Sequence, residues 1–248
     1  MESAVTLREV VYRLSDPAWV ASHAFRQATT LYDLVSPSEF SRLYRQIRHL
    51  TMVSNARLRG LHRAVRHVVE AGIPGDIVEC GTARGGSAAL MGLTLKQLGV
   101  RDRRLWVFDT YEGLPAPTAD DPDYDIAQAY TGSCLGTLED VTASFQRLGV
   151  DDISVFVKGL FQDTLAAAAV RPIAVLHIDG DWYESVKVCL DTLYDRVSDN
   201  GVIQLDDFGF WKGARKAVEE FFAERQIAPQ MVKIDYSGRQ FVKPPQGR

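Results

Sequence analysis

Short apolar runs alternate along the chain with segments whose apolar residues recur at helical spacing. The apolar runs are typical of buried strands, and we predict strands at residues 76–80, 104–108, 153–157, 173–178 and 201–205. Apolar residues three and four positions apart are typical of helices packed on one face, and we predict helices at residues 55–71, 88–98, 141–148, 183–194 and 213–225. Strands and helices in alternation predict an α/β fold with a mostly parallel sheet.

The two ends of the chain depart from this alternation. Residues 1–72 carry apolar residues at roughly helical spacing, so we predict a helical N-terminal extension, with residues 73–248 as the main domain. Near the other end, residues 231–234 and 240–242 flank Ser237-Gly238. Two short apolar segments around such a turn predict an antiparallel C-terminal hairpin.

Residues 110–140 are predicted to form a long loop. Gly113, Pro115 and Pro117 interrupt any regular pattern, and the run Asp120–Asp125 is too acidic for a core. Because long loops in compact domains usually serve function, we expect a lid or a substrate-binding loop here.

Composition and charge narrow the class of protein. The formal net charge of −4 argues against a nucleic-acid partner, and the arginines between Arg42 and Arg66 are predicted to form a solvated helix face. No apolar run is long enough to cross a membrane, and the N-terminus lacks the pattern of a signal peptide. The three cysteines show no paired spacing, which favours a reducing, cytoplasmic setting.

Acidic residues follow two of the predicted strands. Asp179 and Asp181 come after the strand at 173–178, and Asp206 and Asp207 come after the strand at 201–205. The carboxyl ends of parallel strands meet at one edge of a sheet, where ligands bind. Clustered carboxylates repel one another unless a cation joins them, and Mg²⁺ suits such oxygen ligands. The alternative is that these residues only cap the helices that follow.

A glycine-rich turn, Gly81–Ser87, connects the first predicted strand to its helix. Such a turn lets a ligand approach backbone N–H groups at a helix N-terminus. Its spacing matches neither a dinucleotide fingerprint nor a P-loop. The alternative is a tight turn that only packs the helix on the sheet.

Two further segments suggest a ligand that carries a nucleoside. Asp109 ends the second strand, where an acid can accept hydrogen bonds from both ribose hydroxyls. Gly159 follows the third strand and permits close approach of a ligand, and Phe161 could stack on a flat ring or equally belong to the core.

Five segments in this order resemble one known family. They are Pro74–Gly81 with Arg84–Ser87, Phe108–Pro115, Lys158–Leu165, Ile178–Ser185 and Asp206-Asp207. Together they resemble the macrocin O-methyltransferase family, whose members methylate sugar and related hydroxyls of natural products. The resemblance covers roughly residues 50–225, and Thr51–Ser54 also looks like the segment before that family's first core helix.

The resemblance implies S-adenosylmethionine as methyl donor, Mg²⁺ as cofactor, and a seven-stranded, Rossmann-like class I methyltransferase sheet with helical N-terminal material over the site. By position, Asp179, Asp206 and Asp207 match the metal ligands, and Asp181 matches the general base beside Asp179. The positions that match the donor site are Thr51, Glu79, Gly81, Thr82, Gly85, Ser87, Asp109, Thr110, Gly113, Gly159, Phe161 and Gln162. The chain departs from the family at Thr82-Ala83, where an aromatic residue or valine is frequent.

The predicted function is O-methylation of a hydroxyl group on a small molecule, with a sugar or aromatic moiety of a natural product as acceptor. His177 shares a side of its strand with Asp179 and is a rival for the role of base. Two alternatives are a nicotinamide-dependent oxidoreductase, which leaves the acids unexplained, and a non-catalytic donor-binding domain. The amphipathic N-terminal helices suggest a homodimer, in which they cover either their own site or a neighbour's.

Overall fold

The computed structural model describes Pro17, residues 29–170 and residues 172–245. Most of the first 28 residues of the predicted N-terminal extension therefore lie outside the described residues, as do residues 246–248. Within the described part of the extension, residues 29–35 are helical, and helices α1 (Glu39–Ile47) and α2 (Asn55–Glu70) follow.

The described residues contain one sheet of seven strands. The strands are β1 (Asp76–Cys80), β2 (Leu105–Asp109), β3 (Ser154–Lys158), β4 (Ile173–Ile178), β5 (Val197–Leu205), β6 (Val232–Lys233) and β7 (Arg239–Val242). Their order in the sheet is β3-β2-β1-β4-β5-β7-β6. Strands β1 to β5 pair in parallel, whereas β7 is antiparallel to both β5 and β6. The predicted parallel sheet and antiparallel C-terminal hairpin are confirmed.

The remaining helices connect these strands. They are α3 (Gly86–Gln97), α4 (Tyr124–Ala127), α5 (Leu138–Leu148), α6 (Phe161–Thr164), α7 (Tyr183–Leu193) and α8 (Lys212–Glu224), with short 3₁₀ turns at Gln128–Tyr130, Asp151–Ile153 and Tyr194–Arg196. No helix in residues 29–170 or 172–245 is long and apolar enough to cross a membrane.

Two details of the predicted elements were wrong. Residues 110–140 are not entirely loop, because Ala127 is fully buried and the turns around it form α4 and a 3₁₀ turn. Strand β5 begins at Val197, before the predicted residue 201, because the chain already pairs with Ile173 there, ahead of a register shift. The sequence pattern did not predict this pairing, because residues Ser198 to Asn200 are polar.

Helices cover both faces of the sheet and create two cores. Strands β1 and β4 are buried along their whole length, as expected for parallel strands between two helical layers. Helix α2 packs on one face through Leu58, Leu61, Val65 and Val68. Helix α8 packs on the other through Ala217, Val218, Phe221 and Phe222. Both apolar stripes were expected from their spacing.

The parallel register aligns the ends of β1, β2, β4 and β5. The hydrogen-bond ladder continues past the last strand residues, since the N–H of Gly81 donates to the Phe108 carbonyl, that of Asp179 to Cys80, and that of Asp206 to Ile178 (2.8, 2.9 and 2.9 Å). The glycine turn and the two acidic segments therefore lie side by side at one edge of the sheet.

Candidate active site

A cavity of about 420 Å³ opens at this edge of the sheet. All four predicted acids line it: Asp179, Asp181, Asp206 and Asp207. Most of the predicted donor-binding residues line it as well: Thr51, Gly81, Thr82, Ser87, Asp109, Thr110, Gly113, Phe161 and Gln162. The fold thus brings together segments that lie far apart in the sequence, from Thr51 to Asp207.

Three predicted donor-site residues lie behind the cavity wall. Glu79 is fully buried, and its Oε1 lies 2.8 Å from Nδ1 of His177. Gly85 precedes α3 with a φ of +87°, packed against Phe145. The N–H of Gly159 donates to the carbonyl of Asp109 (3.0 Å). Each supports a wall of the cavity without lining it.

The carboxylates form a compact cluster. One group consists of Asp179, Asp181 and Asp207, each of which offers an oxygen within 4.8 Å of the others. A second group consists of oxygens of Asp179 and Asp206 and a ring nitrogen of His177, again within 4.8 Å of one another. Burial, followed by repulsion from neighbouring carboxylates, raises the pKa of Asp179 and of Asp181, and raises the pKa of Asp207 to about 6. The ionised cluster is therefore unfavourable on its own, and a hard cation with oxygen ligands fits it.

Asp206 has partners beyond the acid cluster. Its Oδ1 lies 3.4 Å from Nε2 of His177, and its Oδ2 accepts a hydrogen bond from the guanidinium of Arg57. Among the described side chains, no cationic group forms such a contact with Asp179, Asp181 or Asp207. A metal at this site would therefore share Asp206 with two protein cations.

Arg57 was missed as a site residue. It lies in the first turn of α2, with 12% of its side chain exposed, and it also binds Asp235 through Nε (3.0 Å). Burial opposes its charge, but Asp206 and Asp235 outweigh that effect and raise its pKa. The prediction of a solvated arginine face between Arg42 and Arg66 was wrong for this residue. Its spacing in the sequence does not distinguish it from its exposed neighbours.

His177 is a buried structural residue in this arrangement. It is fully buried between Glu79 and Asp206, and it does not line the cavity. Burial alone would lower its pKa, but hydrogen bonds to Asp206 and Glu79 outweigh burial and raise the pKa to about 9. An imidazolium enclosed by two carboxylates is poorly placed to accept a proton from a molecule in the cavity, which favours Asp181 over His177 as the base.

Asp109 organises the glycine turn. Its Oδ2 accepts hydrogen bonds from the N–H groups of Thr82 (2.7 Å) and Ala83 (3.0 Å), and its Oδ1 accepts from Tyr111 N–H (2.7 Å) and Thr110 Oγ1 (3.3 Å). A carboxylate offers about four lone-pair directions for hydrogen bonds, and these four contacts occupy all of them. Binding of a ribose hydroxyl would have to replace one of them, and the long bond from Thr110 is the weakest.

Aromatic residues that the sequence did not single out form another wall of the cavity. Tyr130, Phe210 and Trp211 line it, and both Tyr130 and Phe210 pack edge-on against Trp211. The indole N–H of Trp211 donates to Oδ1 of Asp181 (2.9 Å). Tyr130 lies in the predicted loop, and the other two follow Asp206-Asp207, so only their closeness to the acids in sequence could have marked them.

The strand order, the glycine turn after β1 and the acids after β4 and β5 define a methyltransferase of the Rossmann-like class I fold. The chain belongs to the macrocin-O-methyltransferase (TylF) family, whose model matches residues 45–243. It is an O-methyltransferase that acts on small-molecule hydroxyls, and membership of the family implies S-adenosylmethionine as the donor. The comparisons support neither an oxidoreductase nor a non-catalytic domain.

Relatives with assigned names support this membership. The chain is 38% identical over 192 residues to 8-demethyl-8-(2,3-dimethoxy-alpha-L-rhamnosyl)-tetracenomycin-C 4'-O-methyltransferase of Streptomyces olivaceus, covering 76% of this chain and 73% of that protein. It is 33% identical over 232 residues to mycinamicin III 3''-O-methyltransferase of Micromonospora griseorubida, covering 88% and 91%. The solved structure of the O-methyltransferase NovP superposes with a TM-score of 0.75 at 34% identity, covering 79% of this chain and 83% of NovP.

Proposed function

We propose that this enzyme methylates a hydroxyl group on a sugar or aromatic moiety of a natural product, and that it needs Mg²⁺. The acid cluster on the wall of the cavity carries the proposal, because it faces the same space as the glycine turn. The names of two relatives, which specify methylation at the 4' position of a rhamnosyl compound and at the 3'' position of mycinamicin III, support a sugar as acceptor.

The donor is proposed to bind along the glycine turn. Gly81, Thr82 and Ser87 line this part of the cavity, and the buried hydroxyl of Thr82 has no hydrogen-bond partner among the described residues. Phe161 and Gln162 also line the cavity, from the start of α6 after β3. An unpaired buried hydroxyl costs free energy unless a ligand satisfies it, so the turn fits a polar group of the donor.

The acids are proposed to divide two tasks. Asp179, Asp206 and Asp207 would hold the metal, and Asp181 would take the proton of the acceptor hydroxyl. When bound, S-adenosylmethionine supplies an electrophilic methyl group and Mg²⁺ supplies a Lewis acid. General-base assistance from Asp181 is typically worth roughly 10²–10⁴ in rate.

The described part of the N-terminal extension is proposed to close the cavity. Leu50, Thr51, Met52 and Val53 line it from the segment between α1 and α2. Met52 is 55% exposed although it lines the cavity. We therefore propose that residues 1–72 act as a covering extension to the methyltransferase domain at 73–248.

Asp179→Asn tests the proposal, because Asp179 belongs to both acidic groups. Calorimetric titration of chelator-treated protein should show donor binding unchanged and Mg²⁺ binding weakened at least about tenfold. Methyl transfer to a vicinal-diol sugar or catechol acceptor should fall at least about 100-fold, because the Lewis acid would be held less well. Asp191→Asn is the control, since Asp191 is an exposed partner of Lys187. Full transfer by wild type in excess chelator would remove the metal from the mechanism.

A further inference from the structure

We infer that Trp211 is a positioning residue for methyl transfer, which holds the carboxylate of Asp181 in one orientation through its indole N–H. This inference rests on the proposed function, in which Asp181 is the base. Its physical basis is the 2.9 Å hydrogen bond from Trp211 Nε1 to Asp181 Oδ1. Among the described residues, none donates a hydrogen bond to Oδ2, so that oxygen remains available to an acceptor hydroxyl in the cavity.

The backbone of Asp181 is fixed independently of this bond. Asp181 has a φ of +58°, a left-handed conformation that is costly for a residue with a side chain. Its N–H donates to Oδ2 of Asp207 (3.1 Å). This contact sets where the Asp181 side chain begins, but it does not set the rotation of the carboxylate about its last bond.

That rotation needs a partner. The terminal torsion of an aspartate is broad and roughly two-fold, so either oxygen could face the cavity. A hydrogen bond from a neutral donor to a carboxylate is charge-assisted and strong. The bond from Trp211 therefore selects which oxygen accepts the proton and reduces the rotation that a bound acceptor would otherwise have to freeze.

Trp211 is itself held rigidly, as a positioning residue must be. It is 6% exposed, and its backbone N–H donates to the carbonyl of Asp207 (3.0 Å). Its ring meets three aromatic neighbours at steep angles: Trp182 at 5.0 Å, Tyr130 at 5.4 Å and Phe210 at 4.9 Å between centroids. The same loop that carries Asp207 thus also carries the group that orients Asp181.

A packing role alone makes different predictions from a positioning role. Trp211→Phe keeps a ring for the aromatic neighbours and removes the N–H. Trp106→Phe is the matched control, because the Trp106 indole also donates to a carboxylate at 2.9 Å, that of Asp76. Asp76 begins β1, at the opposite end of that strand from the cavity, so this control loses the same kind of bond away from the site.

A kinetic double-mutant cycle with Asp181→Asn tests the inference. We expect Trp211→Phe to lower kcat roughly 10- to 100-fold, with the donor KM and the Mg²⁺ affinity changed less than about twofold. In the Asp181→Asn background, the same substitution should change kcat less than about twofold, because residues that act as one unit are non-additive. Trp106→Phe should leave kcat unchanged.

Equal losses of kcat in both backgrounds would overturn the inference, as would an unchanged kcat in Trp211→Phe. An unchanged kcat in Asp181→Asn alone would instead contradict the proposed base. A second measurement does not depend on turnover. The chain has four tryptophans, so their indole N–H signals can be assigned by NMR with the Phe variants. The Trp211 signal should shift in Asp181→Asn while the Trp106 signal does not, and an unshifted Trp211 signal would also overturn the inference.

Discussion

Gly81, directly after β1, lies against the backbone of Asp179, directly after β4. Its φ is +89°, and a Cβ atom placed there would overlap the carbonyl oxygen of Asp179. The end of β1 and the end of β4 can therefore lie side by side only because this position has no side chain. The glycine turn and Asp179 therefore both depend on the absence of a side chain at this one position.

Gly81→Ala should cost roughly 2–5 kcal/mol of unfolding free energy, the sum of a left-handed backbone and an overpacked contact. Donor binding should weaken as the turn moves. Gly72→Ala is the matched control, since Gly72 has a φ of +63° and a Cβ atom placed there would meet nothing within 4 Å, so it should lose only the backbone cost of about 1–2 kcal/mol. Denaturant unfolding of both variants measures the difference, and equal losses would show that the contact with Asp179 is not tight.

At the residue scale, the acids could be located from the sequence, but their partners could not. Asp179 and Asp207 were found because strand ends share an edge in a parallel sheet. Arg57 was not found, because a buried arginine and an exposed one look alike when both lie on an amphipathic helix. The sequence also did not show that Asp109 accepts hydrogen bonds from backbone N–H groups, because the backbone conformation of a turn leaves no signature in composition.

Helix α2 is the element that connects the extension to the site. Ser54 caps it, with its hydroxyl accepting from Arg57 N–H and donating to Asp235 Oδ2 (3.3 and 2.5 Å). Asp235 lies in the turn between β6 and β7, where its Oδ1 accepts from Ser237 and Gly238 N–H. The helix start, the hairpin turn and Asp206 are therefore joined through one guanidinium.

Arg57→Met should destabilise the protein by about 3–5 kcal/mol, because it removes the guanidinium from Asp206, which keeps only His177, and from Asp235, which has no other cationic partner among the described residues. Arg66→Met is a control on the same helix, since Arg66 forms its ion pairs with Glu39 and Glu70 at the surface and should lose at most about 1 kcal/mol. Thermal and denaturant unfolding measure both. A loss for Arg57→Met no larger than that for Arg66→Met would mean that the Asp206 and Asp235 carboxylates find other partners.

The elements themselves were largely predictable because their periodicity is strong. Strand β4 matches the predicted residues 173–178, since an apolar run that is interrupted only by His177 has few alternatives. The start of β5 and the helix at Tyr124–Ala127 were not predictable in this way. Both are stabilised by tertiary contacts, namely pairing across a register shift and burial of Ala127, which local patterns do not record.

At the scale of the whole molecule, the proposed metal site would make stability depend on a cation. Mg²⁺ at a hundred times its Kd should raise the unfolding free energy of chelator-treated protein by about 2.7 kcal/mol. Asp179→Asn should abolish most of this increase, whereas Asp191→Asn should retain it. Differential scanning fluorimetry across Mg²⁺ concentrations measures the shift. A midpoint that does not change with Mg²⁺ in the wild type would argue against a folded-state metal site.

The homodimer expected from the N-terminal helices stays a prediction. Light scattering of the purified protein at several concentrations would decide it. The measurement also bears on whether the extension covers its own site, since a monomer with full activity would exclude a contribution from a neighbour.

The contact between Arg57 and Asp235 joins residues 178 positions apart in the chain, and this has a consequence for biosynthesis. A ribosome must release residues beyond the β6–β7 turn before the guanidinium can find its second carboxylate. Helices α1 to α3 and the glycine turn leave the ribosome much earlier, because synthesis proceeds from the N-terminus. Completion of the acid site should therefore be among the last events in folding, so that a nascent chain lacking the hairpin would be unable to consume donor.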